Sequence, residues 1–349
     1  FKMINKIKQL TESTFDEIVE IRRYIHKNPE LSFKEHKTSA YIKSVLTGWG
    51  ISFTEDIADT GIVVLLEGNN PCSKTLALRA DFDALPITEE NEIDYCSVNK
   101  GVMHACGHDA HTASLLGAAK ILNEVKDQFE GTIKLIFQPG EEVAPGGASY
   151  MIKDGALNNP RPNGIIGQHV MPFIPAGKVG FRQGIYMASA DEIYVTVKGK
   201  GGHGALPDKC IDPILIASHI VVSLQQIISR NCSPTIPSVL TFGHIEGLGS
   251  TNIIPAFVKM KGTFRTFDEK WRADAKLKMK KMAESIAEGM GGSCDFDIHD
   301  GYPFLINDEK TTQLAWDAAN DFLGEEKVHA LDMRMTSEDF AYYSQEMPS

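Results

Sequence analysis

The sequence predicts an α/β protein whose first domain is interrupted by an inserted second domain. The chain has 349 residues, which exceeds the size at which a single hydrophobic core usually stops growing. Apolar runs of strand character alternate with amphipathic helices up to about residue 180. From there to about residue 300 the order changes to βαββαβ, the split-βαβ or ferredoxin-like arrangement. We therefore expect a discontinuous first domain at 1–185 plus 301–349 and an inserted domain at 186–300.

The helices and strands of the first domain follow from the spacing of apolar residues. Helical spacing predicts helices at residues 11–27, 37–46 and 110–125, the third with Asp109 as its N-cap. The first helix ends before Pro29, because the residue that precedes a proline avoids the helical region. Apolar β-rich runs predict strands at residues 62–67, 75–79, 132–137 and 165–168. Such alternation forms an α/β sheet, in which ligand sites lie beyond the strand ends.

The inserted domain has a pattern of its own. Alternating apolar residues predict strands at 192–198, 238–245, 256–264 and 294–299. One helix starts at the Asp212 cap with Pro213 in its first position and runs to about Arg230. A second helix is predicted at 269–290, and a helix at 310–322 returns the chain to the first domain.

Composition and charge argue against several classes of partner. The net charge of −11 disfavours nucleic acid and anionic membrane surfaces, and we expect no apolar run long enough to span a bilayer. The six cysteines are spread too widely for a disulfide framework. The N-terminal residues do not resemble a signal peptide. We expect a cytoplasmic protein.

The densest group of reactive residues is MHACGHDAH at residues 103–111. Cys106 and His108 are two positions apart, and in an extended or turning segment such residues point the same way. A thiolate and an imidazole can then bind one metal ion just before the helix predicted at 110–125. The alternative is a buried cysteine with scattered capping and core histidines.

Acidic residues and a further histidine follow three of the predicted strands. Asp81 and Asp83 follow the first, Glu141 and Glu142 the second, and His169 the third. The side chains of adjacent glutamates diverge, so one can bind a metal while the other takes a proton from a metal-bound water. Each feature alone has an ordinary explanation: paired surface glutamates, capping aspartates and a structural histidine.

Considered together, these features supply four ligands of mixed sulfur, nitrogen and oxygen type: Cys106, His108, Glu142 and His169. That mixture suits Zn²⁺, Mn²⁺ or Ni²⁺ rather than Ca²⁺ or Mg²⁺.

A glycine-rich segment, GKGGHG at residues 199–204, formally matches the dinucleotide-binding pattern G-x-G-x-x-G. That pattern needs a helix at the third glycine and an acidic residue about twenty positions later. Here Pro207 and the Asp212 cap delay the helix, so we reject a dinucleotide site. The glycines instead predict a mobile loop that presents His203, whose imidazolium can stabilise an oxyanion.

Several motifs in order resemble the metal-dependent aminoacylase and carboxypeptidase family, and within it the N-acyl-amino-acid amidohydrolase branch with hippurate hydrolase and auxin-conjugate hydrolases. The resemblance spans nearly the whole chain, which makes chance an inadequate explanation. Its motifs are LRADFDALP at 78–86, HACGHD at 104–109, QPGEE at 138–142, GGHGA at 201–205, NIIP at 252–255, GTFR at 262–265 and SEDF at 337–340.

This resemblance implies a zinc-exopeptidase-like catalytic domain with two divalent ions (Zn, Mn, Ni or Co) and an inserted lid or dimerisation domain. It makes Glu141 the catalytic base, Asp83 the residue that orients a ligand or the base, and the lid residue His203 a group that polarises the scissile carbonyl. Asn252 and Arg265 match lid positions that hold the substrate carboxylate. The metal ligands that it implies are Cys106, His108, Glu142 and His169.

The resemblance implies hydrolysis of an N-acyl-L-amino acid, such as an N-acetyl or N-benzoyl compound, to a carboxylic acid and a free amino acid. A dipeptidase or small carboxypeptidase with the same site is one alternative, and a catalytically impaired binding protein for amino-acid derivatives is another. The family carries a further His ligand well past its SEDF motif, and residues 341–349 do not supply it. We therefore expect either that the sequence is a fragment or that the second metal ion lacks part of its ligand set. The resemblance also implies a homodimer formed through the lid domain.

Overall fold

The computed structural model describes residues 2–349, which form two compact units. Unit 1 contains the chain up to Gly184 together with Ile306–Asp332 and Asp339–Ser349. Unit 2 contains Ile185–Leu305 and Met333–Glu338.

Helices and strands follow one another along the whole described chain. The first part of the chain forms α1 (Lys2–Lys27), α2 (His36–Gly48), β1 (Phe53–Ile57), β2 (Gly61–Glu67), β3 (Thr75–Asp81), α3 (His108–Glu124), β4 (Thr132–Gln138), α4 (Gly147–Lys153), β5 (Gly164–Gly167) and β6 (Val179–Phe181). The middle part forms β7 (Gly184–Met187), β8 (Asp191–Lys198), β9 (Gly202–His203), α5 (Pro213–Gln226), β10 (Ser238–Glu246), β11 (Ile253–Ile254), β12 (Phe257–Thr266), α6 (Glu269–Gly289) and β13 (Ser293–Asp300). The last part forms β14 (Leu305–Asn307), α7 (Glu309–Leu323), β15 (Val328–Ala330) and α8 (Ala341–Glu346).

The central sheet of unit 1 has five strands in the order β1-β2-β4-β3-β5. Strand β3 pairs in parallel with both β4 and β5, whereas β2 pairs antiparallel with β1 and β4. The α/β class is therefore confirmed, with mixed strand directions. Because β3, β4 and β5 run the same way, their carboxyl ends lie at one edge of the sheet, and the segments that follow them start there.

Helices α1, α2 and α3 enclose one face of this sheet. Apolar residues at helical spacing, such as Ile21 and Ile25 on α1 and Leu116 and Ala119 on α3, are buried against apolar strand residues in a single cluster. This packing fixes α3, whose first turn carries the reactive histidines, over the sheet.

Unit 2 has a four-stranded antiparallel sheet in the order β10-β12-β8-β13. Helices α5 and α6 bury their apolar faces against it in a second core. The predicted cap is confirmed, since the Asp212 carboxylate accepts hydrogen bonds from the N–H groups of Ile214 and Leu215. Gly202–His203 forms a two-residue strand and the next α-helix starts only at Pro213, so the glycines carry no dinucleotide-type helix.

Three sequence expectations need correction. Helix α3 begins at His108 with Gly107 as its N-cap, whereas the prediction was a start at residue 110 with Asp109 as the N-cap. Gly107 adopts φ +88°, a conformation that glycine permits, and ends the preceding loop. Helix α1 starts at Lys2, earlier than predicted. One helix, Pro213–Asn231, is long and apolar enough to cross a membrane by length and composition. Its residues Ile216, Ala217, Ile220 and Leu224 are buried in the core of unit 2, which accounts for its apolar character.

Candidate active site

The segments that follow β3, β4 and β5 bring acidic residues and a histidine to one edge of the sheet in unit 1. Asp83 follows β3, Glu141 and Glu142 follow β4, and His169 follows β5. The N-terminus of α3 adds His108.

Three groups of ligand-type side chains share His108, and two of them contain the predicted ligands. Cys106, His108 and His169 form one group, and His108, Glu141 and Glu142 form the other, with the donor atoms of each group within 4.8 Å of one another. Cys106 Sγ lies 3.4 Å from His169 Nε2. His108 Nε2 lies 3.8 Å from Glu142 Oε1 and 3.9 Å from Glu141 Oε2. The four side chains predicted as ligands from the sequence, together with Glu141, therefore lie in one cluster.

The chemistry of this cluster fits a divalent metal. Within residues 2–349, His108 Nε2 and Glu142 Oε1 are buried and have no hydrogen-bond partner. A buried polar atom without a partner costs free energy, and a bound ion removes that cost. Thiolate, imidazole and carboxylate donors together suit zinc and neighbouring transition metals.

Asp83 orients two members of the cluster. His108 Nδ1 lies 3.1 Å from Asp83 Oδ1, an arrangement that fixes the ring and turns Nε2 toward the cluster. Asp83 Oδ2 accepts hydrogen bonds from Ser32 Oγ at 2.7 Å and from the backbone N–H of Glu142 at 2.9 Å. Burial alone would raise the pKa of Asp83, but the hydrogen bonds from His108 and Ser32 outweigh it and lower the pKa.

The pKa values of three cluster residues, Cys106, His108 and Glu142, are raised. Burial raises the pKa of the Cys106 thiol and of the Glu142 carboxyl. Burial would lower the pKa of His108, but the charges of Asp81 and Asp83 overcome it and raise that pKa well above its usual value. A metal ion that binds these side chains therefore competes with protons for them.

A buried ionic network beneath the cluster was missed by sequence reasoning. Arg79 Nη1 donates to Asp81 Oδ2 at 2.7 Å, and Arg79 Nη2 donates to Asp339 Oδ1 at 2.6 Å. Asp81 Oδ1 lies 2.6 Å from His111 Nδ1. The available signal was an arginine inside an otherwise apolar strand that ends in aspartate, since a buried arginine needs carboxylate partners.

A second buried residue outside the predicted set supports the glutamate loop. Glu35 is fully buried, and its Oε1 accepts a hydrogen bond from the N–H of Gly140 at 2.9 Å, directly before Glu141. Thr60 Oγ1 donates to Glu35 Oε2 at 3.3 Å. Burial, followed by the charge of Asp83, raises the pKa of Glu35 to about 7.

The remaining predicted site residues lie in unit 2. Strand β9, which contains His203, pairs with β11, and the N–H of Gly204 donates to the carbonyl of Asn252 at 2.8 Å. His203 and Asn252 are therefore neighbours, and both are exposed. Arg265 lies on β12, half-buried, and its Nη1 donates to the Met335 carbonyl at 3.0 Å.

Comparison with known proteins identifies relatives of this chain. The model of peptidase family M20/M25/M40 matches residues 77–349. An N-acetyl-L-cysteine deacetylase of Bacillus subtilis is 42% identical over 334 residues, which cover 95% of this chain and 78% of that protein. An N-acyl-L-amino acid amidohydrolase of Geobacillus stearothermophilus is 39% identical over 302 residues, which cover 86% of this chain and 81% of that protein. A solved structure from Bacillus subtilis, described as a dinuclear metal-binding peptidase, aligns with a TM-score of 0.80 at 33% identity, covering 97% of this chain and 87% of that one.

The fold and the cluster define a metal-dependent hydrolase. The chain belongs to peptidase family M20/M25/M40. The family resemblance predicted from the sequence motifs is thereby confirmed.

Glu35 generates a prediction about pH. An unfolded glutamate releases its proton near its usual pKa of 4.5, whereas folded Glu35 keeps its proton up to about pH 7. The contribution of this proton to the free energy of unfolding is fully present below the pKa of the unfolded state. It is lost as the pH rises through the pKa of the folded state. Glu35→Gln cannot ionise at this position. As the pH rises from about 5 to about 8, its free energy of unfolding should therefore increase relative to that of the unsubstituted protein, by at most about 3 kcal/mol.

Urea denaturation of the metal-free proteins at both pH values measures this difference. Glu67→Gln, at an exposed position on β2, is the matched control and should show none. A constant difference between Glu35→Gln and the unsubstituted protein across that range would show that Glu35 is ionised throughout.

Proposed function

We propose that this protein hydrolyses the amide bond of N-acyl-L-amino acids, such as N-acetyl or N-benzoyl compounds, to a carboxylic acid and a free amino acid. One observation carries the proposal: a largely buried carboxylate, Glu141, lies beside a cluster of metal-ligand side chains, with its Oε2 3.9 Å from His108 Nε2. The names of the relatives, a deacetylase and an amidohydrolase, support the same reaction.

The proposed ligands are Cys106, His108, Glu142 and His169, and the proposed cofactor is a pair of divalent ions such as Zn²⁺, Mn²⁺, Ni²⁺ or Co²⁺. The unsatisfied buried atoms of His108 and Glu142 support this set, as does the description of the similar structure as dinuclear. When bound, such ions lower the pKa of a bound water and polarise a carbonyl.

Glu141 is the proposed general base and acid. Its Oε1 lies 3.5 Å from the N–H of Asp339, which fixes the carboxylate while Oε2 faces the cluster. A carboxylate held in this way accepts a proton from the attacking water and returns it to the leaving amine. Asp83 keeps His108 and the Glu142 backbone in place during these transfers.

Unit 2 is the proposed lid and dimerisation domain, and we infer from its βαββαβ order that it is ferredoxin-like. In this proposal His203 polarises the scissile carbonyl, and Asn252 and Arg265 bind the substrate carboxylate. The backbone pairing that makes His203 and Asn252 neighbours supports a shared role. We place the enzyme in the cytoplasm as a homodimer; the six cysteines, all free, agree with a reducing compartment.

A dipeptidase or carboxypeptidase activity is the second candidate, because the similar dinuclear structure is described as a peptidase. Turnover of N-acetyl, N-benzoyl and dipeptide substrates with added Mn²⁺, Zn²⁺, Ni²⁺ or Co²⁺ separates the candidates. The proposal requires the N-acyl amino acids to be turned over faster than the dipeptides. An absence of all turnover in the metal-loaded protein would favour a binding protein.

Glu141→Gln should keep the fold and the bound metal but lose turnover by about 10²-fold or more, because the amide cannot take up the proton. Activity, metal content and melting temperature measured on the same preparations test this expectation. Glu90→Gln, at an exposed position, is the control and should behave as the unsubstituted enzyme. Near-normal turnover by Glu141→Gln would assign proton transfer to a different carboxylate.

The role of Arg265 predicts selectivity for a free carboxylate. Amidation of that carboxylate should lower kcat/KM in the unsubstituted enzyme, and Arg265→Ala should shrink the ratio between acid and amide substrates because the discriminating contact is lost. Lys259→Ala, at an exposed position on the same strand, should leave the ratio unchanged. If the ratio is also unchanged in Arg265→Ala and Asn252→Ala, the carboxylate is bound elsewhere.

A further inference from the structure

His111 lies one helical turn after His108 on α3 and is almost completely buried. Residues three apart on a helix share a face, and accordingly the His111 ring lies 5.3 Å from the His108 ring and 4.6 Å from the His169 ring, between centroids. The proposed mechanism assigns no task to this buried histidine.

The hydrogen bonds of His111 determine which ring nitrogen carries its proton. The backbone N–H of Val170 donates to His111 Nε2 at 2.8 Å, so this nitrogen is an unprotonated acceptor. The proton therefore lies on Nδ1, which donates to Asp81 Oδ1 at 2.6 Å. Both nitrogens are engaged. For that reason His111 is not a metal ligand, although its donor atom lies within 4.8 Å of ligand-type atoms of Asp81 and His108.

The carbonyl of the same residue, Val170, orients His169. His169 Nδ1 donates to the carbonyl of Val170 at 2.7 Å, which leaves Nε2 unprotonated and 3.4 Å from Cys106 Sγ. A continuous chain of hydrogen bonds thus runs from the Asp81 carboxylate through His111 and the Val170 backbone to His169.

Gly107 provides the second point at which the Val170 segment is held. A Cβ placed on Gly107 would lie 2.3 Å from Val170 Cγ2, so the valine side chain sits directly against the glycine. Val170 is therefore held on its side chain by Gly107 and on its N–H by His111. Of these two contacts, only the hydrogen bond holds the backbone of Val170, the residue whose carbonyl receives His169 Nδ1–H.

We propose that His111 is a positioning residue for the metal centre: by accepting the Val170 N–H, it holds the His169 ring in the orientation needed to bind the ion. The inference rests on the proposed function for the assignment of His169 as a ligand. Contacts of this kind behind a ligand histidine typically change metal affinity by about 10–100-fold.

Two substitutions separate the two hydrogen bonds of His111. The side-chain oxygen of Gln reaches the place of Nε2 and can accept the Val170 N–H, whereas the amide nitrogen of Asn reaches only the place of Nδ1 and can donate to Asp81. The affinity for Zn²⁺, measured by competition with a chromophoric chelator, is the main readout. His36→Gln, at an exposed histidine on α2, is the control.

His111→Asn should weaken Zn²⁺ binding by about 10–100-fold, whereas His111→Gln should remain close to the unsubstituted enzyme. Both variants should lower the melting temperature, because each leaves one buried partner unsatisfied. A loss of stability alone therefore cannot explain why Zn²⁺ binding weakens in His111→Asn but not in His111→Gln. Equal weakening in both variants, or none in either, would overturn the proposal. Failure of the unsubstituted protein to bind Zn²⁺ would instead overturn the proposed metal centre itself.

A measurement on the unsubstituted, Zn²⁺-loaded enzyme does not depend on the folding of any variant. Long-range ¹H–¹⁵N correlation spectra distinguish the two neutral tautomers of a histidine. The proposal requires the Nδ1–H tautomer at His111. An Nε2–H tautomer or a doubly protonated ring would contradict it.

Discussion

The rest of the site depends on the ion pairs that the buried guanidinium of Arg79 makes with two aspartates. This guanidinium lies between the fully buried carboxylates of Asp81 and Asp339, two residues that are 258 positions apart in the sequence. Each carboxylate then has a second task. Asp81 holds His111, and Asp339 accepts hydrogen bonds from Gln138 Nε2 and from the N–H of Ala148. Removal of the guanidinium would leave two uncompensated charges in the interior, which typically costs several kcal/mol.

The same arrangement explains why the cluster attracts a cation. Asp81, Asp83, Glu141 and Glu142 lie around His108 at the edge of the sheet, and Arg79 compensates only part of their charge. The charges of Asp81 and Asp83 raise the pKa of His108, and burial, followed by the charge of Asp83, raises the pKa of Glu142. A divalent ion competes with protons for these side chains, and the carboxylates that hold the histidines are already in position for it.

The candidate ligands could be chosen from the sequence because Glu142 and His169 follow strands and Cys106 and His108 lie where a helix begins, and such patterns are local. The family resemblance and the α/β class were predicted for the same reason and are confirmed, whereas the domain boundaries and the roles of individual residues stay predictions. Sequence reasoning did not predict the network of Arg79, since its partner Asp339 lies far along the chain and only folding brings the two together. It also missed β1, whose sequence FTEDI is polar and whose pairing with β2 is a tertiary event. Asp109 was predicted to be an N-cap, but in the structure its carboxylate contacts His26 and Arg22 on α1. The local sequence around Asp109 gives no sign of partners that lie so far away along the chain.

The central claim is that Cys106 is one of the ligands of a dinuclear centre. Elemental analysis of purified protein, after loading with Zn²⁺ and removal of the excess, tests this claim directly. The unsubstituted protein and a Cys96→Ala control should hold equal amounts of metal, and Cys106→Ala should hold less, because a thiolate donor of the cluster is gone. Equal metal content in all three proteins would contradict the claim.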